Sequence, residues 1–242
     1  MEEIIVRPIG IVRSPFPDKF GVPRRSGLIK NLKAIIELTP EFSLPGIEKG
    51  LSGFSHLWVI FQFHKYAIKK SWSPTVRPPR LGGNKKMGVF ASRSPQRPNF
   101  IGMSAVKIEE IVRKKNRVYI HISGIDMIDN TPVLDIKPYI ADSDRLNNTT
   151  RGWIDKLPLK KPTLKVIISS EVKAFIKKNE TNANEFIKLI KEIVAQDPRP
   201  SYLRSNPKVS QKSDFTFSYG GYDVSFLVKT TNTACINRII SL

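Results

Sequence analysis

Up to about residue 140 the chain is a succession of short, β-rich apolar runs, each stopped by turn residues before it reaches helix length. The candidate strands are Ile4–Val12, Ala34–Leu38, Leu57–Phe63, Met87–Ala91, Ser104–Val112, Arg117–Ile122 and Val133–Tyr139. Between them stand Pro15 and Pro17, Pro45-Gly46, Pro78-Pro79, Gly82-Gly83 and Asp129-Asn130. Strands this short and this closely spaced predict a barrel or a sandwich rather than alternating β/α units. The run from His56 to Phe63 is apolar at nearly every position, which predicts that it lies deep in the sheet.

The pattern changes after the polar stretch Ala141–Arg151, which reads as a linker or surface loop. Helices are predicted over Ser170–Lys178 and Asn182–Val194. In the second, Asn182 is placed to cap the first turn and Glu185 to complete a capping-box-like pair. Strands over Asp214–Ser218 and Asp223–Val228 flank Tyr219-Gly220-Gly221-Tyr222, a hairpin signal. The chain therefore divides into a β-rich N-terminal domain, residues 1–140, and a smaller α+β domain, residues 141–242, with no internal repeats.

Composition narrows the class. With 40% hydrophobic and 25% charged residues the chain can bury a core, and no apolar run reaches the roughly 18 residues of a membrane helix. The N-terminus, Met1-Glu2-Glu3, lacks a secretory signal pattern. The single cysteine, Cys235, excludes an internal disulfide or a multi-cysteine metal site, and His56, His64 and His121 have no metal-ligand spacing. A soluble cytoplasmic protein without a bound metal is expected. Its net charge of +19 points to a polyanionic partner. The excess is concentrated: between Glu48 and Glu109 there is no acidic residue, while Lys49, Lys65, Lys69, Lys70, Arg77, Arg80, Lys85, Lys86, Arg93, Arg97 and Lys107 all lie there. A solvated basic face is the ordinary explanation of such a run, but this one is rich in Pro, Gly and aromatic residues, which favours nucleic-acid contact.

Three segments carry candidate chemistry. In Arg77–Asn84, and on through Arg93 and Arg97, prolines hold the backbone extended, glycines permit close approach, and arginines offer planar forks for phosphate or carboxylate. In the stretch from Gly124 to Tyr139, Asp126, Asp129 and Asp135 fall within ten positions. Asp129-Asn130 reads equally as a backbone-capping turn. Asp135, flanked by Val133, Leu134 and Ile136, reads as a buried carboxylate needing an arginine partner or a task. In Asp197-Pro198-Arg199-Pro200-Ser201-Tyr202, Arg199 and Tyr202 could meet a phosphate and stack on a base, or the segment could simply end the helix. No Gly-x-Gly-x-x-Gly fingerprint, Walker loop or nucleophile elbow is present, so the reaction is not named by these residues alone.

Together, Ile9–Pro15, Pro23-Arg24, Phe54–Trp58, Arg77–Asn84, Gly88–Ser94, Arg97–Ser104, Asp126–Tyr139 and Asp197–Tyr202 resemble the TrmO (TsaA/YaeB-like) family of tRNA methyltransferases. The resemblance spans essentially the whole chain and is densest to Tyr139; Leu203–Leu242 departs from the family pattern. Two further departures are Asn130, where the family usually has Gly, and Phe100, where Pro usually follows Asn99. The resemblance implies a mainly β fold, with an N-terminal single-sheeted β-barrel that binds S-adenosylmethionine and works as a homodimer. The implied reaction is N6-methylation of threonylcarbamoyladenosine just 3′ of the anticodon in tRNAs reading threonine codons. Carried over by position, it implies cofactor contacts at Pro23, Arg24, Arg25, His64, Lys65, Arg93, Asp126, Met127, Ile128 and Asp129. It implies tRNA or threonylcarbamoyl contacts at Arg77, Arg80, Asn84, Arg97, Arg199 and Tyr202.

In-line methyl transfer to a urea-like N6 gains from proton removal, so the expected catalytic residues are Asp135 or Asp126, to take that proton or help hold the cationic cofactor, and Arg93, to steady the resulting charge. The alternatives are a non-catalytic tRNA-binding barrel and a methyltransferase of a small molecule.

Overall fold

The computed structural model describes residues 2–68, 72–157, 163–204 and 213–242, with the side chain of Tyr202 outside the description. Lys69 and Lys70 of the basic run also lie outside the described residues. The chain forms two compact units, and the division is not a single cut. The first comprises Met1–Pro17, Arg24–Val76 and Met87–Ile140; the second comprises Asp18–Pro23, Arg77–Lys86 and Ala141–Leu242.

In chain order, the first unit contains β1 (Gly10–Arg13), β2 (Lys33–Leu38), β3 (His56–Gln62), the helical turn α1 (His64–Ile68), and the short pair β4 (Thr75–Val76) and β5 (Met87–Gly88). It continues with β6 (Ile101–Lys114), β7 (Arg117–Ser123) and β8 (Thr131–Pro138). Six of these strands close a barrel in the order β1-β2-β7-β6-β3-β8, β8 returning to pair with β1. Alternate side chains fill it: Val12, Ile36, Leu57, Val59, Val118, Ile122 and Val133 are fully buried. The same alternation corrects the expectation for β3. Only Leu57, Val59 and Phe61 point inward, while Trp58, Ile60 and Gln62 are half-buried on the outside, where Trp58 meets Tyr139 with ring centroids 5.5 Å apart.

Strand ends follow pairing rather than composition. The ladder begins at Gly10, opposite Leu38 and Val133, so Ile4 and Ile5 lie outside it and are exposed. Of Met87–Ala91 only Met87–Gly88 is strand, and Val89–Ala91 turns as a 3-10 helix. In β8 the register against β3 slips: Ile60 faces Asp135, but the next residue, Phe61, faces Val133. Leu134 is thus a β-bulge, and inward-pointing positions change from Thr131 and Val133 to Leu134, Ile136 and Pro138.

The second unit carries α2 (Ala141–Asp144), β9 (Lys165–Ile168), α3 (Ser170–Asn179), α4 (Ala183–Ala195), α5 (Ser201–Arg204), β10 (Phe215–Tyr219), β11 (Tyr222–Thr230) and β12 (Thr233–Ser241). A turn of helix therefore begins the stretch expected to be a linker. The sheet order is β10-β11-β12-β9, antiparallel except for the parallel pair β12–β9, a pairing that sequence patterning did not reveal. Gly220 and Gly221, both at positive φ, make the expected hairpin turn. Helix α4 buries Phe186, Leu189, Ile190, Ile193 and Val194 as one apolar stripe. Asn182 does not cap it: its side chain makes no cap hydrogen bond. The side-chain cap forms instead on α3, where Ser169 accepts a hydrogen bond from the Val172 amide at 3.2 Å. Among the described residues no helix is long and apolar enough to cross a membrane.

Candidate functional site

The connection from β7 to β8 is the most densely tied loop of the barrel unit. Gly124, at φ +76°, reverses the chain; its amide donates to the Leu32 carbonyl at 2.9 Å and its carbonyl accepts from the Gly27 amide at 2.8 Å. The motif at β1 holds the other end. The Ser14 hydroxyl donates to the Met127 carbonyl at 2.8 Å, and the Ser14 amide donates to Asp129 Oδ1 at 3.0 Å. The Asp129 amide donates to the Phe16 carbonyl at 2.7 Å and the Asn130 amide to the Val12 carbonyl at 2.9 Å. Asn130 takes φ +57°, as its place in the turn requires, and Arg13 Nη1 donates to its Oδ1 at 2.7 Å. Thr131 Oγ1 donates to the Ile128 carbonyl at 2.7 Å. Asp129 thus organises the turn, with Asn130 Nδ2 donating to its second oxygen at 2.8 Å, and Met127 is buried beneath it.

Within this frame Ile125 and Met127 face the core and Asp126 stands between them. Its Oδ1 is buried and has no hydrogen-bond partner among the described residues. Burial pushes its pKa above the ordinary carboxylate value; hydrogen bonds from the Ser104 hydroxyl and the Ser26 backbone, and the charge of Arg93, pull the other way. Ser104 is a buried polar residue on β6, and Ser26 directly follows Arg24 and Arg25, both exposed. Pro23, buried, lies in the segment that belongs to the second unit. His64 is half-buried at the start of α1; burial, then the charge of Lys65, lower its pKa, and the charge of Asp129 opposes them. Lys65 Nζ donates to the Pro17 carbonyl at 2.9 Å. A buried acceptor beside a cationic side chain fits a ligand bearing hydroxyl or cationic donors, as S-adenosylmethionine does.

Arg93 is exposed on a loop that braces itself. The Ser92 hydroxyl donates to the Val89 carbonyl at 2.8 Å, and Arg97 Nη1 donates to the Ser92 and Ser94 carbonyls, each at 3.3 Å. Arg97, expected on tRNA, thus braces the loop bearing Arg93 through Nη1. Phe100 sits at φ +52° and its amide donates to the Arg97 carbonyl at 3.1 Å. Proline permits neither, so this loop differs locally from one with Pro after Asn99.

Asp135 departs from its predicted burial. The Leu134 bulge turns it to the outside of the barrel, where it is exposed and, among the described residues, accepts only from the adjacent Ile136 amide at 2.9 Å. The carboxylate of this segment with a buried oxygen is that of Asp126.

The second cluster lies in the second unit. Arg199, expected to reach a phosphate, is 4% exposed and forks Asp197 instead, with Nε 2.7 Å from Oδ1 and Nη2 3.0 Å from Oδ2. Asp197, at φ +51°, is buried with it. Arg204, at the end of α5, feels the charges of both, and burial lowers its pKa. The loop Arg77–Lys86 belongs to the same unit: a Cβ on Gly83 would collide with Ser201 Oγ, so backbone and hydroxyl are in direct contact. On this loop Arg77 and Asn84 are exposed and Arg80 is half-buried.

The fold has counterparts among known proteins. The model of the tRNA-methyltransferase O N-terminal domain matches residues 11–145, and that of the TrmO C-terminal domain matches residues 161–241. The chain belongs to this family of tRNA methyltransferases. The second match corrects the expectation that Leu203–Leu242 departs from the family. The chain is 41% identical over 196 residues to the tRNA (adenine(37)-N6)-methyltransferase of Escherichia coli, covering 81% of this chain and 82% of that protein. It is 39% identical over 203 residues to a Pseudomonas aeruginosa protein named as a candidate S-adenosylmethionine-dependent methyltransferase, covering 84% of each. A crystal structure of TrmO from P. aeruginosa superposes with a TM-score of 0.78 at 29% identity, covering 100% of this chain and 99% of that one.

Sequence reading missed Ser26, Ser104 and Arg204. The serines carry no local signal, because their role depends on two loops and a strand meeting at Asp126. Arg204 is one basic residue among many.

Proposed function

We propose that this protein is a cytoplasmic, S-adenosylmethionine-dependent enzyme that methylates N6 of threonylcarbamoyladenosine at tRNA position 37, and that it acts as a homodimer. The observation that carries this reading is 41% identity, across both domains, to a tRNA (adenine(37)-N6)-methyltransferase. The net charge of +19 supports a polyanionic substrate. Ile101 and Met103, half exposed on the outer face of β6, are candidate dimer contacts.

The residues that fit the cofactor are Asp126, Ser26, Arg93 and His64, all grouped around the β7–β8 turn. S-adenosylmethionine, when bound, supplies an electrophilic methyl group. Asp126 is the general base: its Oδ1 accepts the proton that N6 gives up as the new N–C bond forms. The urea-like nitrogen shares its lone pair with a carbonyl, so proton removal restores its nucleophilicity. Arg93 stabilises negative charge that develops next to it. The raised proton affinity of Asp126 suits it to this transfer. Exposed Asp135 has no comparable environment, and the role of base passes from it to Asp126. Arg77, Arg80 and Asn84, on the basic loop, contact tRNA.

Transfer of labelled methyl from S-adenosylmethionine to tRNA with and without threonylcarbamoyladenosine tests the reading. Label in the modified pool alone is expected. Label in both pools would refute the substrate, and label in neither, with tRNA still bound, would leave a binding module.

A further inference from the structure

Arg199 and Arg204 end in the same chemical edge, a pair of parallel N–H donors at Nε and Nη2, and the structure treats them oppositely. On Arg199 that edge clamps both oxygens of Asp197. On Arg204 the Nε and Nη2 atoms are buried from solvent and have no hydrogen-bond partner among the described residues. Asp197 attracts Arg204 and Arg199 repels it. A guanidinium does not shed its proton to escape burial. The charge stays, and donors buried without an acceptor are costly to fold around. The neighbouring loop is basic: Gly83 rests on Ser201, three residues before Arg204, and Arg80, Lys85 and Lys86 belong to the same unit.

We propose that Arg204 is the receptor for an oxyanion that presents two oxygens to its Nε–Nη2 edge, as Asp197 does to Arg199. This rests on the tRNA-methyltransferase reading for the source of that anion. The two sources are a backbone phosphate of the tRNA and the carboxylate of the threonylcarbamoyl group.

The full-length protein and its Arg204→Met and Arg204→Lys variants test this in two ways. Thermal melting with added inorganic phosphate reads the site without any tRNA. Wild type gains stability as phosphate rises, because a ligand that binds only the folded state raises its melting temperature. Arg204→Met melts higher than wild type without phosphate and does not respond to it. Arg204→Lys keeps the charge, loses the fork and responds weakly. If both variants melt below wild type and wild type ignores phosphate, Arg204 is structural and the proposal falls.

Binding to tRNA with and without the threonylcarbamoyl group, at several salt concentrations, then names the source. Arg204→Met is expected to weaken binding by about tenfold to a hundredfold. Equal loss on both tRNAs, with the salt slope reduced by about one, marks a phosphate. Loss on the modified tRNA alone, at unchanged slope, marks the carboxylate. Unchanged binding to both overturns the tRNA source. Should wild type fail to methylate any tRNA while its phosphate response still vanishes in Arg204→Met, the substrate assignment fails and the oxyanion site remains.

Discussion

The β7–β8 turn of the barrel and the segment Asp197–Arg204 of the second unit solve opposite electrostatic problems. The turn buries one oxygen of an acid with no partner among the described residues; the segment pairs a buried base with an acid and leaves an edge of a second, half-buried base without one among the same residues. Their scaffolds differ accordingly. The turn is held by backbone bonds of Ser14, Gly124 and Asn130 and by the Asp129 carboxylate, which accepts from Ser14 and Asn130. The segment carries the Asp197–Arg199 ion pair. Polar chemistry can be prepared either by burying a lone acceptor in a hydrogen-bonded frame or by burying a lone donor edge beside an ion pair, and the two strategies break in different ways.

Asp126→Asn is expected to have the largest effect, lowering methyl transfer by about 10²–10⁴-fold in single-turnover assays, the usual contribution of a general base. Asp135→Asn should stay close to wild type. A comparable loss at Asp135 would remove the distinction between the buried and the exposed carboxylate.

Arg199→Ala should cost about 3–5 kcal/mol in denaturant unfolding, because the buried Asp197 loses the guanidinium fork that holds both its oxygens. A loss below about 1 kcal/mol, the scale of a surface pair, would mean that the segment is not held by its ion pair.

Asn130→Ala should cost about 1–2 kcal/mol, the left-handed backbone penalty at φ +57°, and Asn130→Gly should recover most of it. Equal effects of the two would locate the contribution in the bond from Arg13 instead.

The smallest effect follows from the raised pKa of Asp126. The folded state holds that proton more tightly than the unfolded chain. Stability from the group is therefore intact below 3.8 and lost as pH rises through the elevated folded value. Asp126→Asn should consequently melt slightly higher than wild type at neutral pH, with the gain vanishing in acid. For the same reason the acid limb of wild-type kcat/KM should lie above the ordinary carboxylate range. A limb at the ordinary value would argue against Asp126 as base.

Most of the barrel was legible because its strands alternate or run apolar between strong turn residues, and pairing only adjusted their ends. The errors at the site have one cause, which is that local pattern does not report nonlocal register or special backbone angles. Leu134-Asp135-Ile136 reads the same in either phase, so nothing in it announces the bulge opposite Ile60 and Phe61. Arg199 folding back onto Asp197 accompanies the left-handed conformation of Asp197, which its sequence neighbours do not signal. Asn182 has the right chemistry for a cap but not the backbone, at φ −107° and ψ 50°. The family resemblance pointed to the reaction, while charge and motif spacing alone reached a basic, loop-built site.

The single extra residue in β8 also makes that strand two pieces of opposite phase. Deleting Leu134 would leave Val133 opposite Phe61 and Asp135 opposite Ile60, so the ladder would close as a regular one with Asp135 still on the outside. A one-residue deletion or insertion elsewhere in the strand would instead carry the residues beyond it onto the wrong face. The strand is therefore open to point substitution on its outer face, and to a change in length only at Leu134.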